Sequence, residues 1–162
     1  MNKKVLILDN DDATIRLIQH LSRALNLDTL AIHNWGKSVN LIQGKDVLVV
    51  FLNVELGIVN IPSFLKYFPQ EKKDDHDTIV PVYFLFTKLF SRQFQAAKTY
   101  PHAGELKKPV KLESLVEIFN GLLNIDEVLD YNEQKYRDKW GGINAYLNKA
   151  KEFMRQLETI LG

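Results

Sequence analysis

Residues 46–56, DVLVVFLNVEL, decide the fold. An acid opens the stretch, an unbroken apolar run follows it, and polar residues return afterwards. Such a run is typical of a central strand in a parallel sheet, because helices cover both faces of that strand. Ligands of open α/β sheets gather at the carboxyl ends of the strands, and we predict that this strand ends at Phe51. A phenylalanine at that place can neither accept a phosphoryl group, bind a metal nor move a proton.

Further short stretches predict the other strands of the sheet. They lie at 5–8, 28–32 and 80–85, and 105–108 lies at the end of a fifth strand. After the first run, Asp11 or Asp12 is predicted to cap a helix, since acids at a helix start accept hydrogen bonds from its free amides. Strands and helices alternate along the chain, which predicts an α/β fold with helices on both faces of a parallel sheet. We expect a flavodoxin-like, doubly wound sheet of five strands in the order 2-1-3-4-5.

The last part of the chain, 124–162, is predicted to be a helical extension of a domain that spans 1–123. It has no strand pattern, and Gly141 and Gly142 divide it into two helical segments. In the second segment apolar residues recur at spacings of three and four, which is typical of a coiled coil or a helical hairpin. This stripe is expected to be buried on the rest of the chain or on a second copy, as a homodimer. The predicted interaction residues are Trp140, Leu147, Met154, Leu157 and Leu161.

Composition narrows the class of protein. The chain has 162 residues, a formal net charge of +1 and no cysteine. A nearly neutral chain without a clustered basic face argues against nucleic-acid binding, and the absence of thiols excludes disulfides and thiolate catalysis. The first apolar run is too short for a secretory signal, and no stretch approaches the roughly 20 apolar residues that span a bilayer. We therefore expect a soluble cytoplasmic protein that binds neither nucleic acid nor membrane.

Four stretches of the chain resemble response-regulator receiver domains, the CheY-like family. VLILDNDDATIRLIQHL (5–21) resembles their first strand, acidic pocket and first helix, and DVLVVFLNVEL (46–56) resembles their third strand. IVPVYFLFTK (79–88) resembles their fourth strand. GELKKPVKLESLVEIFNGLL (104–123) resembles their fifth strand, Lys-Pro pair and last helix. The resemblance covers about residues 3–123 and implies the receiver fold.

The resemblance also implies a phosphorylation pocket. In receivers, an aspartate at the end of the third strand accepts phosphate from a histidine kinase, and two carboxylates after the first strand hold magnesium. A Ser or Thr after the fourth strand and a Lys before the Pro bind phosphoryl oxygens. The matching residues here are Asp9 and Asn10 for the acidic pair, Phe51 for the acceptor, Phe86 for the hydroxyl residue and Lys108 for the lysine.

Three further positions complete the implied pocket. Asn53 matches the residue whose backbone carbonyl helps to hold the metal. Thr87 is the alternative to Phe86 at the hydroxyl position, because a shift of one residue along a strand turns the side chain to the other face. Glu105 stands where receivers carry an aromatic switch residue on the face that reports phosphorylation.

These departures from the receiver pattern predict that the pocket has been converted. Phe51 removes the acyl phosphate, and Asn10 weakens any magnesium site by one charge. Phe51 and Phe86 are expected to end neighbouring strands and to pack on each other as a hydrophobic plug. Without a phosphate to bind, Lys108 is expected either to pair with Asp9 or to extend its ammonium group to water.

The sequence therefore predicts a degenerate pseudo-receiver, a two-component signalling module that acts through protein contacts and is not an enzyme. Its predicted partners are proteins of a bacterial signalling pathway or a second copy of the chain. No cofactor is expected, and a weak Mg²⁺ site at Asp9 is the open alternative. Two other functions also stay open. They are a phosphorelay response regulator with Asp9 or Asp11 as a substitute acceptor, and a small-ligand binder of flavodoxin-like fold.

Overall fold

The structure, a computed structural model, describes residues 3–38, 42 and 46–123. The chain divides into two units, Met1–Val110 and Lys111–Gly162. The predicted extension 124–162 lies outside the described residues, so its domain boundary and its role in a homodimer stay predictions. The predicted interaction residues that lie there are Trp140, Leu147, Met154, Leu157 and Leu161.

Strands and helices alternate along the first unit. Its described elements are β1 (Lys4–Leu8), α1 (Asp12–Ala24), β2 (Asp28–Ala31), α2 (Trp35–Ser38), β3 (Val47–Asn53), α3 (Ile61–Tyr67), β4 (Val82–Phe86), α4 (Arg92–Ala97) and β5 (Gly104–Lys107). In the second unit, α5 spans Leu112–Leu122. None of the described helices combines the length and the apolar character that crossing a membrane requires.

The five described strands form one parallel sheet in the order β2-β1-β3-β4-β5. This order confirms the predicted α/β class and doubly wound topology. From β1 the chain moves outward to β2, and from β3 it moves in the opposite direction to β4. Because such crossovers are right-handed, α1 and α3 lie on opposite faces of the sheet.

One face of the sheet carries a large apolar cluster. Side chains alternate along a strand, so Leu6, Leu52 and Phe84 all point to this face. They pack in one buried cluster with Phe64 of α3 and Phe94 of α4. The cluster anchors the strands whose carboxyl ends form the candidate site.

The central strand is longer than its sequence pattern predicted. Since β3 runs Val47–Asn53, Phe51 lies inside the strand and Asn53 ends it. Phe51 is fully buried and pairs in register with Tyr83 of β4, while Leu52 and Asn53 continue the pairing. The prediction that Phe51 marks the carboxyl end of the strand is therefore wrong, because strand pairing extends beyond it.

Replacing Phe51 by Ala is expected to lower the free energy of unfolding by about 3–5 kcal/mol, because it removes a fully buried ring and leaves a cavity. Urea unfolding followed by far-ultraviolet circular dichroism measures the loss. Phe90→Ala is the matched control: Phe90 is 86% exposed, so its removal is expected to change stability by less than about 0.5 kcal/mol. Equal, small losses for the two variants would contradict the core position of Phe51.

Candidate functional site

Asp9, Asn53 and Lys108 meet at the carboxyl edge of the sheet and are called the edge pocket below. Asp9 directly follows β1, Asn53 ends β3 and Lys108 directly follows β5. The Asn53 side-chain amide donates a hydrogen bond from Nδ2 to Asp9 Oδ1 over 3.1 Å. Lys108 Nζ lies 2.5 Å from Asp9 Oδ2. One carboxylate thus joins the ends of three strands.

Asp9 is fully buried, and both of its carboxylate oxygens are engaged. Oδ1 also accepts hydrogen bonds from the backbone N–H groups of Asn10, at 2.8 Å, and Asp11, at 3.3 Å. Oδ2 forms the ion pair with Lys108, although the angles are not those of a regular hydrogen bond. A buried carboxylate is tolerated when it is paired and hydrogen-bonded. The predicted pairing of Lys108 with Asp9 is confirmed.

Asp11 connects the edge pocket to the start of α1. It is the N-cap residue and accepts hydrogen bonds from the Ala13 N–H at 3.1 Å and the Thr14 hydroxyl at 2.7 Å, which confirms Asp11 as a predicted cap. Its Oδ2 lies 3.4 Å from Lys108 Nζ. The Thr14 hydroxyl contributes most to the lowered pKa of Asp11, partial burial opposes the shift, and the Lys108 charge adds to it. These contacts therefore favour the ionised form of the Asp11 carboxylate.

A second set of hydrogen bonds leads from Asn53 to the loop after β4. Asn53 Oδ1 accepts a hydrogen bond from the Glu55 N–H over 2.8 Å. The Glu55 carboxylate then accepts from two backbone N–H groups, Thr87 to Oε1 at 2.5 Å and Lys88 to Oε2 at 3.2 Å. We call this bidentate contact the Glu55 tie. It joins the loops that follow β3 and β4.

The Glu55 tie needs an ionised carboxylate. Burial alone would raise the pKa of Glu55, but hydrogen bonds from the backbone N–H groups of Thr87 and Lys88 and from the Ser91 and Thr87 side chains together lower it. A group whose pKa is lower in the folded chain adds stability above its unfolded pKa, and this stability disappears as the pH falls through the folded value. At neutral pH the tie is therefore present.

The predicted plug of two phenylalanine rings does not form. Phe86 stacks on Phe94 of α4, with ring centroids 3.8 Å apart and planes at 6°. Phe51 stacks instead on Tyr83, with centroids 5.9 Å apart. Phe51 pairs in register with Tyr83, and Phe86 lies three residues after Tyr83, so Phe51 and Phe86 point to opposite faces of the sheet. Phe86 is a core residue of the α4 face, and its predicted place in the pocket is wrong.

The remaining predicted site residues are not part of the edge pocket. Thr87 is exposed and donates its backbone N–H to Glu55. Glu105 is exposed at the predicted switch position, and its Oε1 lies 3.2 Å from His102 Nε2. Asn10 is exposed and borders an open cleft of about 430 Å³, whose lining residues are Asn10, His33, Asn34, Leu56, Gly57 and Ile58.

The edge pocket does not fit the magnesium ion that the resemblance implies. Magnesium needs carboxylate oxygens that are free to bind it together with water. Both Asp9 oxygens are engaged, and Asn10 and Asn53 carry neutral amides at the neighbouring positions. Across the described ranges, no three His, Asp or Glu side chains are grouped so that they could hold a metal ion. In this pocket the Lys108 ammonium serves as the cation.

Two residues of the site were missed or misassigned by sequence reasoning. Asn53 was expected to offer its backbone carbonyl, whereas its side-chain amide enters the pocket. A usable sign was present, because Asn53 is the first polar residue after the apolar run of β3. Glu55 gave no such sign, since its partners are backbone N–H groups 32 and 33 residues further along the chain.

Replacing Asn53 by Asp places a second carboxylate beside Asp9, and we expect this variant to fold but to be less stable without divalent cations. Repulsion between the two carboxylates causes this loss of stability. Mg²⁺ should counteract the repulsion and raise the free energy of unfolding by about 1.4 kcal/mol when its concentration is ten times its Kd. Thermal unfolding with and without MgCl₂ measures the effect, with wild type as the control.

Phe51→Asp is expected not to fold, because it buries a carboxylate inside the strand. If Phe51→Asp folds and Mg²⁺ stabilises it, position 51 would belong to the pocket after all.

Replacing Lys108 by Met is expected to destabilise the protein by about 3–5 kcal/mol, because Asp9 keeps a buried charge without its cation. Urea unfolding at pH 7 measures the loss. The matched control is Lys107→Met, an exposed neighbour that is expected to change stability by less than about 0.5 kcal/mol. Adding Asp9→Asn to Lys108→Met should recover most of the loss. A double variant as unstable as Lys108→Met alone would show that Lys108 acts other than by neutralising Asp9.

Solved structures with similar folds include several response-regulator receivers. A receiver protein from Burkholderia phymatum has a TM-score of 0.58 at 16% identity, covering 76% of this chain and 96% of its own. The receiver domain of sensor histidine kinase PA1611 from Pseudomonas aeruginosa PAO1, solved with magnesium coordinated in its active site cleft, has a TM-score of 0.55 at 14% identity and covers 73% and 94%.

A further similar chain comes from a complex. It belongs to the co-crystal structure of the Saccharomyces cerevisiae histidine phosphotransfer signaling protein Ypd1 with the receiver domain of its downstream response regulator Ssk1. Its TM-score is 0.53 at 18% identity, and the match covers 71% of this chain and 84% of that one. No protein-family profile and no curated protein matches the sequence. The identities are low, so the similarity establishes the fold: the chain has the flavodoxin-like receiver fold.

Proposed function

We propose that this chain is a two-component signalling module of receiver type that works through protein contacts without being phosphorylated. The receiver fold supports the signalling role. Asn53 carries the second part of the proposal. The resemblance matched Phe51 with the acceptor at the strand end, but β3 ends at Asn53, so the Asn53 amide stands where an acceptor carboxylate would be needed. The amide nitrogen donates a hydrogen bond to the Asp9 carboxylate, and the amide oxygen accepts one from the Glu55 N–H. A neutral amide is not a carboxylate nucleophile, so this position offers no group that could form an acyl phosphate.

Asp9 is a poor substitute acceptor. An attacking carboxylate oxygen has to reach the phosphorus atom in line with the leaving group. Asp9 is fully buried, with Oδ1 bound by three donors and Oδ2 held against Lys108. Attack would require these contacts to be broken and would leave the ammonium without its partner.

Asp11 is the stronger candidate for the alternative function, a phosphorelay regulator with a substitute acceptor. Its side chain is 42% exposed and lies 3.4 Å from the Lys108 ammonium, a cation that could also pair with a phosphoryl oxygen. Both of its oxygens, however, hold the start of α1 through Ala13 and Thr14. Modifying Asp11 would therefore cost the helix its cap, so this function ranks second.

Protein contacts are the proposed output of the module. The receiver domain of Ssk1 was crystallised with a histidine phosphotransfer protein, which supports a protein partner for a domain of this fold. We propose partners in a bacterial signalling pathway, a role without catalysis and a place in the cytoplasm. Self-association through residues 124–162 stays a prediction.

Wild-type protein incubated with acetyl phosphate and Mg²⁺ is expected to keep its unmodified mass, because no carboxylate is free at the end of β3. Intact-mass spectrometry measures any adduct. Asn53→Asp is the comparison, since it restores a carboxylate between Asp9 and the loop after β4. We expect this variant to gain the mass of one phosphoryl group.

A stable adduct on the wild-type protein would contradict the proposal. Peptide mapping then identifies the acceptor, and Asp11→Asn provides the decisive variant because asparagine keeps the capping oxygen of α1. Loss of the adduct in Asp11→Asn would replace the proposal with the phosphorelay alternative.

A further inference from the structure

Exposed apolar side chains adjoin both ends of the Glu55 tie. Phe90 is 86% exposed and Leu89 is 45% exposed, in the loop between β4 and α4. Leu56 directly follows Glu55 in the loop after β3 and is 40% exposed. Single exposed apolar residues are ordinary on protein surfaces, but neighbouring ones with polar surroundings are typical of interaction sites. The loop between β4 and α4, which carries the adjacent Leu89 and Phe90, is therefore a candidate contact surface.

The loop between β4 and α4 is fixed on both sides of the exposed pair. Before the pair, the Glu55 carboxylate holds the N–H groups of Thr87 and Lys88 through charge-assisted hydrogen bonds. After the pair, the Ser91 hydroxyl caps α4 by accepting from the Phe94 N–H at 3.2 Å. A loop that is already ordered loses little conformational entropy when a partner binds. Leu89 and Phe90 are thus held in place as exposed residues.

Basic residues flank the exposed pair. Lys88 precedes it and Arg92 follows it, and both are exposed. The only acid in the sequence of the two loops, 54–60 and 87–91, is Glu55, and its oxygens are bound to backbone N–H groups. Along the chain, the charges next to Leu89 and Phe90 are therefore the positive ones of Lys88 and Arg92. Charge complementarity favours a negatively charged partner.

We infer that Lys88, Leu89, Phe90 and Arg92, here called the loop surface, dock a segment of another protein in which apolar residues are flanked by Asp or Glu. The apolar residues of the segment pack on Leu89 and Phe90. Its acids pair with the lysine and the arginine. This inference rests on the proposed function and adds the chemistry of the partner and the place where it binds.

A phage-displayed library of random 12-residue peptides, selected on the full-length protein, is the probe. Peptides that bind the loop surface are expected to share aromatic or aliphatic residues next to Asp or Glu. The Kd of an enriched synthetic peptide is then measured by fluorescence anisotropy. Phe90→Ser is expected to weaken binding by about tenfold or more, since exposed aromatic anchors commonly dominate binding energy. The charge-reversed variant Lys88→Glu with Arg92→Glu should weaken it to a similar extent.

Two further variants separate the surface from the rest of the protein. Tyr100→Ser is the matched control, because Tyr100 is an exposed aromatic residue outside both loops, at 38% exposure, and the Kd should stay unchanged. Glu55→Gln keeps every residue of the loop surface but removes the charge of the tie. We expect weaker peptide binding in this variant and, by NMR, about tenfold faster amide hydrogen exchange at Thr87 and Lys88.

Several outcomes would overturn the inference. They are no enrichment of peptides, enriched peptides without acids, or peptides whose Kd is the same for Phe90→Ser and wild type. A lower mass of Phe90→Ser than of wild type by light scattering would assign the surface to a second copy of the chain instead. In all of these cases the proposed function stands, because it fails only if the wild-type protein gains a phosphoryl adduct.

Discussion

Burial of the Asp9 carboxylate is the constraint on which the carboxyl edge of the sheet depends. An unpaired charge at that depth would cost several kcal/mol, so the chain must bring a cation and hydrogen-bond donors to it. Lys108 supplies the cation from the end of β5, and Asn53 supplies a donor from the end of β3. Satisfying one charge thus fixes the relative positions of three strand ends.

Asparagine at the end of β3 makes this arrangement possible without a metal. A carboxylate there would face Asp9 at hydrogen-bond distance, and two like charges would need a proton or a cation between them. The Asn53 amide donates to Asp9 with its nitrogen and accepts from the Glu55 N–H with its oxygen. A continuous series of hydrogen bonds within the chain therefore leads from the buried Asp9 charge through Asn53 and Glu55 to the loop after β4.

The sequence predicted the strand order of the sheet better than it predicted the residues at the carboxyl ends of the strands. Alternating strands and helices with short connections favour a doubly wound parallel sheet, and the resemblance placed Lys108 near Asp9, where opposite charges favour pairing. The end of β3 could not be read in the same way, because Phe51 and Leu52 are equally apolar and a run marks burial rather than the limit of strand pairing. The ring of Phe86 was predicted on the wrong face for a separate reason: Thr87 is its neighbour, and a shift of one residue along a strand reverses the face. Glu55 escaped notice because backbone N–H groups have no sequence pattern.

The Glu55 tie bears on whether this fold can switch. A switch needs two arrangements of an element that differ by only a few kcal/mol, and a ligand that favours one of them. The loop after β4 is held by a carboxylate of the same chain, which is always present at high effective concentration and is ionised at neutral pH. No dissociable anion controls that contact. Under the proposed function, the exposure of Leu89 and Phe90 is then constant, and a change in signalling comes from the supply of the partner rather than from chemistry in the edge pocket.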